Sequence, residues 1–301
     1  MTVHVDQATH RLGVQAMLGE GPIWDRDAGR LWFVDIAAPA VHAFDPAHDR
    51  HTTWPAPSSI GWVLPAAGGD CLVGLRNGLH RFSPERGDFT LLHGVEPELP
   101  NNRLNDAGVD GNGNVWFGTM DDLERSATGR VYRFDGRDVT DSGLPPMCIT
   151  NGPAVSPDGR TLYVANTLAR RVDAYAVTAD GALGPGRLFL TVDPSDGYPD
   201  GLCCDAEGGV WVGLWGGWAA RRYDAAGRLT DEIRFPVANV TKVALGGADG
   251  RTAFATTARK GLDDDALTAQ PLAGDLFTFT ARVPGVAAAR VALPPSAEQY
   301  S

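Results

Sequence analysis

Long apolar runs are missing from this chain of 301 residues, and none approaches the roughly 18 residues that a membrane-spanning helix needs. Its start, MTVHVDQATHRLGVQAML, has no apolar segment following a basic one. These absences lead us to expect a cytoplasmic protein with no membrane partner. Cations are in the minority, with 26 Lys and Arg against 37 Asp and Glu and a formal charge of −11. Such a surface repels nucleic acid and anionic lipid, so neither is expected as a partner. Cysteine is scarce: Cys71, Cys148, Cys203 and Cys204 form no CxxC pair, which argues against structural zinc. They read as small buried apolar residues of a reducing compartment, with Cys203 and Cys204 on opposite faces of one strand. The seven histidines all lie in the first third of the chain and have no HExxH spacing, which argues against histidine-ligated zinc. A GxSxG elbow is absent, as is any spaced cysteine and histidine pair, so covalent catalysis is disfavoured.

What is present is a repeat of about 40–50 residues. It is anchored on the turn glycines Gly29, Gly69, Gly113, Gly159, Gly208 and Gly250. Each is followed three or four residues later by a large apolar side chain: Trp32, Val73, Trp116, Tyr163, Trp211 and Phe254. These sit in short β-prone runs such as RLWFVD, NVWFGT, TLYVAN and GVWVGL. Further strand-like runs, among them VHAFDP, GRVYRFDG and GDLFTFT, fall between the anchors. Six units of strand, turn, strand, turn and strand, with room for a fourth strand, predict an all-β, six-bladed β-propeller with four-stranded blades around a central channel. Residues 1–301 are expected to form that single propeller domain. Trp32, Trp116 and Trp211 are expected in its core.

Eight or nine residues before each anchoring glycine stand Glu20, Gly61, Asn105, Asn151, Asp200 and Lys242. That phase begins the innermost strand of each blade, so the six positions should converge at one mouth of the channel although they are far apart in sequence. Asn and Asp before glycine can be simple turn formers. Four polar residues in one phase, Glu20, Asn105, Asn151 and Asp200, instead predict one site. Two carboxylates with two amide oxygens are an oxygen-only ligand set that suits a hard or borderline divalent cation. A cation would relieve the repulsion between the carboxylates, and three or four protein ligands would leave positions open for water and substrate.

The segments GEGPIW, RLNDAGVD, GTM, ITNGPAVSPDG, YPDG and LWGGW resemble the family of sugar lactonases that includes gluconolactonase and regucalcin, over nearly the whole chain. NNRLND, CITNGP, WGGW and NVTK with TTARKGL look most like bacterial lactonases of pentose oxidation, xylonolactonase in particular. The resemblance implies one divalent cation, calcium, zinc, manganese, magnesium or iron(II), held by Glu20, Asn151 and Asp200. It places Asn105 at the metal or at the substrate, and Arg103, on the same strand face, at substrate hydroxyls or the lactone oxygen. For the acidic residue that family members often carry after GTM, the candidates are Asp121, Asp122 and Glu124, with Asp122 the choice. Lys242, a cation beside a cation site, is expected to turn away, to bind substrate, or to be a plain surface lysine.

The implied reaction is hydrolysis of a sugar lactone to its aldonic acid, with Asp200 as the catalytic carboxylate that orients attacking water or takes its proton. Trp62, Tyr198, Trp215 and Trp218 are expected in loops over the mouth. Two other function classes stand beside this one: a metal-dependent esterase or phosphotriesterase, and a calcium-binding propeller without turnover. Finally, HVDQATHRLGVQAML is expected to supply an outer strand to the blade containing VTKVALGG and GDLFTFT, since an unclosed ring would expose strand edges.

Overall fold

The structure, a computed structural model, describes residues 2–294. Turn glycines set the period of the fold. All six anchoring glycines have positive φ, between +61° at Gly29 and +93° at Gly69, the left-handed region that a residue without a β-carbon adopts at little cost. Each sits at the turn between the first and second strands of a sheet.

Six such sheets form the propeller. Blade 1 comprises Gly19–Asp25, Arg30–Asp35, Ala40–Asp45 and Arg50–Pro55. Blade 2 comprises Ile60–Pro65, Cys71–Leu75, Gly78–Ser83 and Asp88–Gly94. Blade 3 runs through Asn102–Val109, Val115–Asp121, Val131–Phe134 and Val139–Asp141, and blade 4 through Thr150–Val155, Thr161–Asn166, Arg171–Val177 and Leu183–Thr191. Blade 5 is built on Tyr198–Cys204, Val210–Trp215, Ala219–Tyr223 and Leu229–Arg234. Blade 6 has Val240–Gly246, Thr252–Thr257 and Leu276–Thr280, and takes its fourth strand, Thr9–Leu12, from the start of the chain. That strand pairs antiparallel with Leu276–Thr280, as the closure argument expects. An additional strand was not expected: His4–Gln7 pairs parallel with Leu229–Arg234 and makes blade 5 five-stranded. The start of the chain therefore covers the outer edges of two neighbouring blades, which is a second way of removing an exposed edge.

Apolar side chains fill the spaces between blades. Trp32, Val34, Ile60, Val73 and Phe82 form one buried cluster between blades 1 and 2, and Trp211, Ala220, Val240 and Phe277 another between blades 5 and 6. Trp32, Trp116 and Trp211 are buried, as expected. Cys204 packs against the cluster between blades 4 and 5 and Cys203 against that between blades 5 and 6, so the pair does face opposite ways. Only Cys71 is fully buried; the other three are half-buried. Trp62 corrects the sequence reading. It lies in the first strand of blade 2, wholly buried against Phe117, and not in a loop over the mouth. A longer connection in blade 6 carries the one α-helix among the described residues, Asp264–Ala269, capped by Asp263.

Candidate active site at the channel mouth

The first strand of every blade carries a β-bulge at the phased position. The pairing register shifts at Glu20/Ile23, Ile60/Trp62, Leu104/Ala107, Asn151/Ala154, Pro199/Leu202 and Val240/Lys242. A bulge re-aims side chains that regular alternation would send to opposite faces. Here it turns polar side chains from five blades into the channel. Blade 2 contributes none, because its inner strand approaches blade 3 closely: a β-carbon on Gly61 would lie 2.6 Å from the carbonyl oxygen of Asn105.

Glu20, Arg103, Asn105, Asn151 and Asp200 are all buried. A chain of hydrogen bonds links the blades. Arg103 Nη1 donates to Asn105 Oδ1 at 2.7 Å, and Asn105 Nδ2 donates to Asn151 Oδ1 at 2.9 Å and to the carbonyl oxygen of Thr150 at 2.8 Å. Asn151 Nδ2 in turn donates to Thr167 Oγ1 at 2.9 Å, whose hydroxyl donates to the carbonyl oxygen of Pro199, next to Asp200. Both amides are thereby fixed in orientation. The carboxylates close the circle, since Glu20 lies close enough to Asp200 to push its carboxyl up by charge repulsion.

The electrostatics are those of crowded acids. Burial, with the charge of Asp106 added, pushes Glu20 up to about 8 from the usual 4.5. Asp200 is raised well above the usual carboxylate range, by burial first and by Glu20 and Asp106 next. Arg103 is buried and lowered by that burial, although Asp122 opposes the shift. Its Nε donates to Asp122 Oδ1 at 2.8 Å, and Arg76 Nη1 donates to the other oxygen of Asp122 at 2.7 Å. Asp122 therefore bridges two arginines at the rim. The neighbouring acids have other tasks: Asp121 accepts from the backbone N–H groups of Leu123, Arg125 and Ser126, and Glu124 pairs with Lys260 across the mouth at 2.7 Å.

Lys242 corrects the sequence reading. It neither turns away nor sits on the surface; it stays in the channel, buried, with Nζ 2.6 Å from Asp106 Oδ1. Asp106 itself escaped the phase argument, because it stands one residue after Asn105, where a regular strand would point it away from the channel. Beyond this pair, along the same inner strands, a cavity of about 160 Å³ is lined by Pro22, Gly108, Pro153, Cys203, Val243 and Gly285 among others. Lys242 also lines it, so the lysine is the floor between the two halves of the channel. At the opposite face, the rim carries Tyr198, over which Arg170 stacks at 3.6 Å, together with half-buried Trp215 and the exposed Trp218.

No three His, Cys, Asp or Glu side chains converge as a metal-binding group among the described residues. The set here is of another kind, two carboxylates with amide oxygens. Two buried acids that repel each other, with amide oxygens beside them, are a donor set that a hard divalent cation fits.

A profile of the family described as SMP-30/Gluconolactonase/LRE-like region matches residues 18–259. L-arabinolactonase of Azospirillum brasilense is 36% identical over 291 residues, which cover 95% of this chain and 96% of that protein. A 6-deoxy-6-sulfogluconolactonase of Pseudomonas putida is 29% identical over 273 residues, 90% of this chain and 94% of its own. Among solved structures, a calcium-binding protein, regucalcin, of Agrobacterium tumefaciens superposes with a TM-score of 0.92 at 30% identity, over 97% of this chain and 100% of that one.

Proposed function

The chain belongs to the SMP-30/gluconolactonase/LRE-like family, the family of the sugar lactonases, and from that premise we propose that it hydrolyses a sugar lactone to the aldonic acid. The observation that carries this reading is the meeting of Glu20, Asn151 and Asp200, from blades 1, 4 and 5, beside the Arg103–Asn105 pair of blade 3. A divalent cation would be held by Glu20, Asn151 and Asp200, and when bound it supplies Lewis-acid polarisation of the lactone carbonyl.

The chain's own groups divide the remaining work. Asn105 spends its oxygen on Arg103 and its nitrogen on Asn151, which supports a role on the substrate side as the part that aligns the other two. Arg103 donates to lactone oxygens from a buried position, where a charge-assisted hydrogen bond is strong. Asp122 holds the guanidinium in that orientation and presents an acceptor to sugar hydroxyls. Asp200 accepts the proton of the attacking water and returns it to the ring oxygen as the ester bond breaks, so that water and lactone become one hydroxy acid. The aromatic groups of Tyr198, Trp215 and Trp218 offer faces for the apolar side of a sugar ring.

The likeness to L-arabinolactonase supports a pentonolactone as substrate. Acid release from a panel of pentono- and hexonolactones, followed by pH indicator, tests this reading. Turnover faster on the pentonolactones supports it; no turnover of any lactone, with cation binding intact, would leave the alternative of a cation-binding propeller without hydrolysis.

A further inference from the structure

Lys242 is one of only two lysines in the chain, and it is placed where a divalent cation's neighbour would least be expected to be positive. Its side chain is 6% exposed. The aliphatic stem crosses the backbone of Gly201 in blade 5, where an added β-carbon would meet the Lys242 Cβ, Cγ and Cδ at 2.5–2.7 Å. The ammonium then reaches blade 3, where Nζ donates to Asp106 Oδ1 at 2.6 Å and to the carbonyl oxygen of Ala107 at 2.9 Å. Asp106 Oδ1 also accepts from the N–H of Ala107 at 2.7 Å, so one carboxylate oxygen is fully engaged. Its other oxygen, Oδ2, is buried and makes no well-formed hydrogen bond among the described residues, although the backbone N–H of Gly152 faces the carboxylate. A buried carboxylate oxygen so weakly partnered is costly, and here the same group lies within electrostatic reach of both Glu20 and Asp200.

We propose that Lys242 and Asp106 are positioning residues, a fixed charge pair on the floor of the site that sets how tightly Glu20, Asn151 and Asp200 hold a divalent cation. The inference rests on the cation-site reading given above. Asp106 adds a negative charge below the cation; Lys242 aims that carboxylate and limits the attraction. The pair also explains how an acid-rich channel folds before any cation arrives, because one of its three carboxylates carries its own counter-charge.

Charge and packing make opposite forecasts. If the pair were mere scaffold, removing either member would loosen the site and weaken cation binding. If it sets the field, Asp106→Asn leaves Lys242 uncompensated and weakens binding, whereas Lys242→Met leaves Asp106 uncompensated and tightens it. At separations of several ångströms and an effective dielectric constant of about 20, one unit charge changes the affinity of a divalent ion by roughly tenfold or more.

The experiment is titration of metal-stripped protein with Mn²⁺, reading free ion by its paramagnetic resonance signal, for wild type, Asp106→Asn, Lys242→Met and the double variant. Expected are affinities about tenfold weaker for Asp106→Asn, about tenfold tighter for Lys242→Met, and tighter for the double variant than for Asp106→Asn alone. Should Lys242→Met fail to fold, the comparison of Asp106→Asn with the double variant carries the same sign. Weakening by both single substitutions, or a double variant no tighter than Asp106→Asn, overturns the inference while leaving the cation site standing. Absence of Mn²⁺ binding by the wild type removes the cation site and this inference with it.

Discussion

Gly201 lacks a side chain where Lys242 crosses it: a β-carbon there would lie 2.5 Å from the Lys242 Cβ. Asp200 is the residue before, so the carboxylate proposed to act in catalysis and the path of the lysine share one stretch of backbone. Gly201→Ala should push the lysine stem aside, with an overpacking cost of about 1–3 kcal/mol and weaker hydrolysis. Gly159→Ala is the control, since nothing lies within 4 Å of its β-carbon position and its φ of +72° costs only local strain. Thermal melts and lactone turnover compare the two; equal loss of turnover in both would contradict the packing argument.

Asp122 holds Arg103 from one side and Arg76 from the other. Burial pushes its carboxyl up, but the two arginines outweigh that and keep it below the usual range, hence ionised at neutral pH. Asp122→Asn should raise KM about tenfold with a smaller change in kcat, because the substitution loosens substrate orientation more than the reacting groups. Steady-state kinetics on the best lactone decide this, and an unchanged KM would remove Asp122 from the substrate side.

Much of this was legible in the sequence because turn glycines and β-prone runs recur with a fixed period. The same phase exposed Glu20, Asn105, Asn151 and Asp200, since inner strands of a propeller face one axis. Asp106 was not legible: strict alternation sends it away from the channel, and only the bulge between Leu104 and Ala107 brings it in. Without Asp106, Lys242 had no visible partner. Trp62 was misplaced because its neighbours SIGWVL suit a loop or a strand, and the space vacated by Gly74 beneath its ring is a tertiary fact. The parallel pairing of His4–Gln7 with blade 5 likewise depends on where the ring closes.

Closure yields a further expectation. Asp275 Oδ1 accepts from the N–H groups of Val14 and Gln15 at 2.8 and 2.9 Å, and its Oδ2 contacts His10 at 2.9 Å, tying the first segment to blade 6. Asp275→Ala should cost about 2 kcal/mol through the unpartnered backbone groups. Deleting residues 2–12 removes both edge strands and should lower the melting temperature by roughly 10 °C or more, with loss of turnover although no site residue is touched. An unchanged melting temperature after the deletion would refute this view of closure.

A pH effect separates from the site altogether. His42 is buried in blade 1, stacked on Phe33 at 4.7 Å, with Nδ1 3.0 Å from His51 Nε2. Burial, and then the nearness of His51, pushes its pKa down from 6.5 to about 4. The unfolded chain binds a proton near pH 6.5 that the folded protein refuses until about pH 4. Stability from this group is therefore complete above pH 6.5 and is lost as the pH falls towards 4, by up to roughly 3 kcal/mol. Melts at pH 7.5 and 4.5 should show a smaller acid-induced drop in His42→Phe than in wild type; an identical drop would assign the loss to other groups.

The central claim is that Glu20, Asn151 and Asp200 hold one divalent cation and that lactone hydrolysis depends on it. The direct measurement is simultaneous titration of metal-stripped wild type and Asp200→Asn with a divalent cation, reading bound ion and acid release from a pentonolactone in the same samples. The account predicts one bound equivalent in wild type with turnover rising in step, and neither in Asp200→Asn. Undiminished hydrolysis in metal-stripped wild type, or in Asp200→Asn, would contradict it.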